Sequence, residues 1–249
     1  MSEAAQPAQV ARRPDPDGAS GAAGSTPDVA ALLTLEEVQQ DRTVSGLISA
    51  ADRVMEGLGF TEHGFRHATL VARIAFNLLH RLGFDDRTAT LACVAGYLHD
   101  IGNSVARENH GPTGALFAYD ALKERMRLED LTPILAAIGN HEEEYGQAVS
   151  PISAAVILAD KSDVHRSRVR KSGQPDFDIH DRVNYAAEQS FLRVDSGART
   201  VTLELTIDTE ISQVMEYFEI FLHRMVMCRR AAERLDCQFK ITANGVTLL

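Results

Sequence analysis

From Phe65 to Leu82 the apolar residues Leu70, Val71, Ile74, Leu78 and Leu82 recur at helical spacing, and His67 falls three, four and seven positions before the first three of them. The pattern predicts a helix whose inward face carries an imidazole. A second helix, capped by Asp86, has the stripe Leu91, Val94, Ala95 and Leu98; His99 continues that stripe and Gly102 is placed to end the helix, so the pair His99-Asp100 falls in a buried last turn. Thr132-Pro133 reads as a cap and first-turn proline opening a helix with Ile134, Ile138 and His141 along one face. Ser150-Pro151 repeats that start signal, and Ile152, Val156 and Asp160 follow at intervals of four. His110 lies in Asn109-His110-Gly111-Pro112, read as a loop feeding a helix with Leu116, Phe117 and Tyr119, and periodicity does not set its direction.

A single histidine on an apolar face is more often a satisfied core residue than a ligand. Six groups together, His67, His99, Asp100, His110, His141 and Asp160, change that balance, because converging imidazoles and carboxylates need a cation to offset their desolvation. His80, His180 and His223 read as structural. His63, four residues before His67, has the spacing that sets two imidazoles on one helix face, although Gly64 between them suggests that the helix only begins there.

The period changes later in the chain. Residues 1 to 30 are rich in Ala, Pro, Gly, Ser and Asp without an apolar repeat and are expected to be disordered; helical pattern starts near Leu35. Residues 172 to 178 read as a loop. Val201 to Ile207 alternates as a half-buried strand does, and Asp195-Ser196-Gly197 turns it back onto Ser190 to Arg193. Asp208 or Thr209 is expected to cap a long helix through Leu235 with the stripe Ile211, Val214, Met215, Phe218, Phe221, Leu222, Met225 and Val226. Asn244-Gly245 is a hairpin signal between Gln238 to Thr242 and Val246 to Leu249. The expected fold is mainly α, a helical bundle over 31 to 172 with a small α+β addition over 173 to 249, an antiparallel sheet covered by one helix. The addition either packs on the bundle or joins two copies as a homodimer.

Composition adds further constraints. The chain has 249 residues, 45% hydrophobic and 24% charged, enough for a full core. Its three cysteines, Cys93, Cys228 and Cys237, form no close pair, which suits small buried residues in a reducing, cytoplasmic setting. No apolar run is long enough to span a membrane, and Arg12-Arg13 is not followed by the apolar stretch of an export signal. The formal net charge of -10 argues against nonspecific nucleic-acid binding. Against that acidic background, Lys161, Arg166, Arg168, Arg170 and Lys171 cluster just after Asp160. They are read as binding a small phosphorylated substrate, through Lys161, Arg166 and Arg168 with Arg66 beside His67, against the alternative of a solvated, salt-bridged helix end. Of Glu142 to Glu144, one is expected to support a ligand and two to face solvent.

The order His67, His99-Asp100, Asp160 resembles the signature of the HD-domain superfamily of metal-dependent phosphohydrolases, across roughly residues 45 to 170. His110 and His141 resemble the additional ligands of its two-metal subgroup. The resemblance implies a helical HD-domain bundle in which His67, His99, Asp100 and Asp160 hold one metal and Asp100 bridges to a second held by His110 and His141. Mixed nitrogen and oxygen ligands imply one or two divalent transition-metal ions, Fe, Mn, Co or Zn. Two subfamily marks are absent, the Gly-Tyr-Pro motif of cyclic-di-GMP phosphodiesterases and the Glu-Asp pair of guanosine-tetraphosphate hydrolases. His110-Gly111-Pro112-Thr113-Gly114-Ala115 instead looks like a stretch of bacterial HD hydrolases that cleave diadenosine tetraphosphate. The function so implied is hydrolysis of a phosphoester or phosphoanhydride of a nucleotide-like substrate by a metal-bridging hydroxide, with Asp100 and Lys161 in catalytic roles. Two alternatives share the residues: a di-iron oxygenase similar to myo-inositol oxygenase, and a non-catalytic nucleotide-binding sensor.

Overall fold

The computed structural model describes residues 32–170 and 179–248; the tail expected over 1 to 30, the loop expected at 172 to 178 and Lys171 lie outside them. Helix α1 (Leu35–Gln39) starts at a capping box in which Thr34 and Glu37 satisfy each other's backbone, and α2 (Arg42–Gly57) starts on Asp41. Helix α3 (Phe65–Arg81) buries His67, Ala68, Val71, Ala72, Ala75, Leu78 and Leu79. The centre of the bundle is α4 (Asp86–Leu98), in which every residue from Leu91 to Leu98 is buried. Its cap is Asp85, which accepts from the Thr88 amide at 2.9 Å; Asp86, expected in that place, is the first helical residue and adds negative charge where the helix dipole is positive.

A 3-10 turn, Ile101–Ser104, leads to α5 (His110–Leu122), α6 (Leu128–Gly139) and α7 (Pro151–Lys161). His110, expected in a loop, is the first residue of α5, because Asn109 takes a left-handed conformation at φ 57° and turns the chain directly into the helix. The start expected at Thr132-Pro133 is also corrected: α6 begins a turn earlier and contains Pro133. The carbonyl that Pro133 leaves without a donor belongs to the exposed Glu129, where water can serve it. The start of α7 follows its signal, with the Ser150 hydroxyl accepting from the Ser153 amide above Pro151.

Beyond a second 3-10 turn at Arg166–Arg168, α8 (Ile179–Ala186) leads into β1 (Ala187–Asp195), β2 (Thr200–Ile207), α9 (Val214–Arg234), β3 (Gln238–Ala243) and β4 (Val246–Thr247). The fold is mainly α with this small four-stranded sheet toward the C-terminal side, in the order β1-β2-β3-β4. The sheet is mixed and not antiparallel throughout: β2 pairs β3 in parallel, since α9 between them supplies the long crossover that a parallel neighbour requires. At the β3-β4 turn Asn244 and Gly245 both have positive φ, and the Asn244 amide pairs with both backbone groups of Ile207.

Helix α9 starts at Gln213 in a capping box with Glu216, past the expected Asp208 or Thr209; Asp208 closes a preceding turn through the amides of Glu210 and Ser212. Its buried face is also rotated from the expected stripe. Phe221 and Met225 are inside, but Met215 and Leu222 are exposed, while Tyr217, Met227, Cys228, Ala231 and Ala232 complete the packed side. Small residues there allow α9 to lie on α7, whose residues from Ile152 to Lys161 are all buried. The addition therefore packs on the bundle. All three cysteines are buried, and no helix among the described residues is long and apolar enough to cross a membrane.

A chain ending at Thr200 should uncover α7 and lose soluble yield, as an exposed apolar helix promotes association. Size-exclusion chromatography checks this; a monodisperse product with its metal-binding capacity intact would show that α9 is not the required cover.

Candidate metal centre

Five helices end at one place. His67 lies in the first turn of α3, His99 caps the end of α4 with Asp100 next to it, His110 begins α5, His141 follows the end of α6, and Asp160 is in the last turn of α7. All six side chains are buried, and they form overlapping groups able to hold a metal ion.

The donor atoms are closely opposed. The Nε2 atoms of His67 and His99 are 3.2 Å apart, and those of His110 and His141 are 2.9 Å apart. Asp100 divides its two oxygens between these pairs. Its Oδ2 is 3.5 Å from His67 and 3.2 Å from His99, while its Oδ1 is 3.4 Å from His110 and 3.7 Å from His141. The Oδ1 atom of Asp160 lies 3.3 Å from His67 and 3.6 Å from His99. Two donors sharing one ion at ~2.1 Å stand roughly 3.0–3.4 Å apart at octahedral or tetrahedral angles, so this donor set fits a transition-metal ion.

A second set of contacts aims the rings. The Nδ1 atoms of His99, His110 and His141 donate to the carbonyls of Gly96, Arg107 and Ile138 at 2.7–2.8 Å, and Nδ1 of His67 donates to Asp163 at 2.7 Å. A neutral ring with its proton on Nδ1 presents a lone pair at Nε2, so all four rings turn their ligating atom inward. Asn103 donates to Asp100 Oδ1 at 2.8 Å, and Glu142 accepts from the Gly111 amide at the start of α5 at 2.6 Å. Glu142 and Glu143 both make supporting contacts and only Glu144 is exposed, one acid more than expected.

Without a metal, protons take the cation's place. Burial opposes charge on His67, as does Arg168, yet Asp100, Asp160 and Asp163 lift its pKa to about 9. Burial likewise opposes charge on His99, but Asp100 and Asp160 lift it to about 10. His141 goes the other way, lowered by burial to about 4 against the pull of Asp100, and is neutral. Burial works to raise the pKa of Asp100 and Asp160, but His99 acting on the first and Lys161 on the second hold both well below the ordinary carboxylate range.

A cavity of about 750 Å³ opens beside Asp100, His110, His141 and Asp160. Of the basic residues expected to bind substrate, Lys161 and Arg168 line it; Arg66 and Arg166 do not. Arg66 is bound to Glu62 and Asp163, Arg166 to Glu188 and Arg170 to Asp52, so these arginines tie chain segments together instead of facing the cavity. His180 and His223, read as structural, also line the cavity. So does His63, whose Nδ1 donates to the Thr61 carbonyl and whose pKa burial and Arg168 push well below the ordinary value, leaving a neutral ring. Asp163, Asn103, Arg107 and Arg224 were not singled out from sequence. Asp163 had a signal, lying three residues after Asp160 at a helix end; Arg224 had none, since only tertiary packing brings α9 here.

Residues 64–166 match the family model for the HD domain, a match that implies metal-dependent hydrolase chemistry in general. An uncharacterized protein of Methanocaldococcus jannaschii is 28% identical over 212 residues, covering 74% of this chain and 80% of the relative. That relative's description names no substrate.

Metal must displace the protons that His67 and His99 hold up to about pH 9 and 10. Affinity should therefore rise with pH through neutrality, with about one to two protons released per ion. Without metal the sign reverses: folded pKa values raised above the ordinary 6.5 give stability that is complete below that pH and lost as pH climbs through about 9 to 10. Calorimetry of zinc binding in buffers of different ionisation enthalpy reads the proton count, and binding without proton release would contradict the ring states given above.

Gly102 supplies a structural test. A Cβ there would lie 1.9 Å from the His110 carbonyl oxygen and 2.6 Å from the Gly114 amide nitrogen, so the turn and the start of α5 touch through backbone alone. Gly102→Ala should displace His110 and lower metal content, as measured by elemental analysis of the folded variant; full loading would show that the helix end moves freely.

Proposed function

We propose that this chain is a phosphohydrolase with a two-ion centre, cleaving a phosphoester or phosphoanhydride of a small, nucleotide-like substrate. The observation that carries the reading is the division of Asp100, one carboxylate oxygen facing His67 and His99 and the other facing His110 and His141. A single bridging carboxylate between two histidine pairs is what a pair of ions sharing one substrate oxygen requires. The HD-domain match supports the hydrolase class.

Divalent ions bound here would supply Lewis-acid polarisation of a phosphoryl oxygen and a water of lowered pKa. The chain's own residues do the remainder. His67, His99 and Asp160 form one side of the centre and His110 with His141 the other, with their directions set by the Nδ1 contacts. Lys161 Nζ lies 2.6 Å from Asp160 Oδ2, which leaves Oδ1 to face the histidines and places a cation at the cavity wall. Arg168 gives Nε and Nη2 to the Glu62 carbonyl and Nη1 to the Asp163 carbonyl, so its contribution to a phosphate is mainly its charge, with one N–H left on each Nη. Neutral His63, with Nδ1 committed to Thr61, offers Nε2 as an acceptor for a water proton. Hydrolysis consumes one water: a P–O bond forms to the water oxygen, the P–O bond to the alcohol or second phosphate breaks, one water proton goes to that leaving oxygen and the other remains with the released phosphate or passes to solvent. It needs no serine or cysteine nucleophile, which agrees with three buried thiols of raised pKa.

The test is anaerobic turnover of nucleotides and phosphomonoesters by protein loaded with zinc or manganese. Phosphate or a nucleoside phosphate should appear without oxygen. Asp100→Ala should lose metal and about a hundredfold or more of turnover, beyond the about 10- to 100-fold typical of a partner that only orients a ligand. Strict dependence on oxygen, with a substrate carbon oxidised, would transfer the site to oxygenase chemistry.

A further inference from the structure

The cavity has four cationic side chains, and they differ in how much of their hydrogen-bonding capacity the protein already uses. Lys161 is held by Asp160 at 2.6 Å and approaches Glu143 at 3.5 Å. Arg168 has each of its three nitrogens bound to a backbone carbonyl of Glu62 or Asp163, which uses three of its five N–H groups and leaves neither Nη free as a fork. Arg224, on α9, spends only Nε, on Glu143 at 3.0 Å, and its guanidinium lies 4.2 Å over the Phe221 ring. Among the described residues its two Nη atoms have no acceptor. That pair is the planar fork which grips two phosphate oxygens at once, and here it is held in place by a carboxylate behind and an aromatic face beneath.

Position agrees with availability. Glu143 links Arg224 to Lys161, and Lys161 touches Asp160, so this fork stands on the Asp160 side of the centre. Across the cavity, Arg107 lies 5.5 Å over the Phe60 ring with Nη1 at 3.5 Å from both Asn103 and His110, the limit of hydrogen-bond distance. A guanidinium with unused donors therefore stands at each end of the row of metal-ligating side chains. We propose that Arg224 is a substrate-binding residue that takes the phosphate group next to the one attacked, with Arg107 as its counterpart, so that α9 completes a site for a substrate carrying at least two linked phosphates. The inference rests on the phosphohydrolase reading and narrows its substrate to phosphoanhydrides.

The competing account is that Arg224 only pins α9 to the loop after His141 through Glu143. The two separate in binding measurements on the full-length, manganese-loaded chain with inorganic pyrophosphate as the probe, alongside metal content and Tm. Arg224→Gln should weaken pyrophosphate binding about 10- to 100-fold, the scale for losing a hydrogen-bonded charge, with metal content unchanged. Arg224→Lys, which keeps the charge and can still reach Glu143 but has no fork, should recover only part of the loss, and Arg193→Gln, at an exposed ion pair on β1, should bind as wild type does. A lowered Tm with unchanged pyrophosphate affinity in Arg224→Gln would overturn the proposal, as would a wild-type protein that does not bind pyrophosphate. Phosphate release is followed in parallel. Arg224-dependent binding without any hydrolysis would keep the anion site and reject the hydrolase reading, whereas hydrolysis with an unchanged KM in Arg224→Gln would do the reverse.

Discussion

The structure depends on one electrostatic constraint: imidazole nitrogens facing each other at 2.9 and 3.2 Å, with their opposite nitrogens already committed as donors. Two lone pairs at that distance repel, and only a proton or a metal ion between them removes the conflict. Everything around the centre keeps the rings from turning away. Three backbone carbonyls from nearby helix ends and one carboxylate from Asp163 fix their planes, Asn103 fixes Asp100, and the touching backbones at Gly102 fix where α5 begins. In the absence of metal, protons held by Asp100, Asp160 and Asp163 answer the conflict at His67 and His99 only; His141 stays neutral, so the 2.9 Å pair is left for a metal ion to satisfy.

Much of this was legible in the sequence because buried helices leave periodic traces. His67, His99 and Asp160 continue apolar rows, and a polar residue that continues such a row must be accommodated inside. His110 was readable as a type and not as a direction, because its placement depends on the left-handed Asn109, a backbone state that no periodicity encodes. Pro133 misled for a related reason: proline favours a first turn, but tolerates a later one when the carbonyl it orphans faces water.

The basic run after Asp160 shows where reading along the chain stops working. Its arginines are grouped by sequence, but Arg166 pairs with Glu188, Arg170 with Asp52, and Arg168 donates to the backbone carbonyls of Glu62 and Asp163, so partners brought in by folding occupy most of the run. The cations with spare donors, Arg107 and Arg224, lie outside any basic run in the sequence. Local density of charge is thus a poor guide to which charge is available; the number of donors left unsatisfied is a better one, and it exists only after folding.

The parallel pairing of β2 with β3 has a consequence for the order in which the molecule is built. A parallel pair cannot form until its long crossover has been made, and such non-local contacts form late. All six metal-facing residues precede Lys161, so during N-to-C synthesis they emerge before α9, and before the Gln238–Ala243 strand that anchors it from behind. A chain that folds as it emerges would have α7 against its helical neighbours on one side and water on the other until α9 docks. At that stage the centre is at its most open to an incoming ion and the chain at its most prone to associate, and the same event, the docking of α9, ends both conditions.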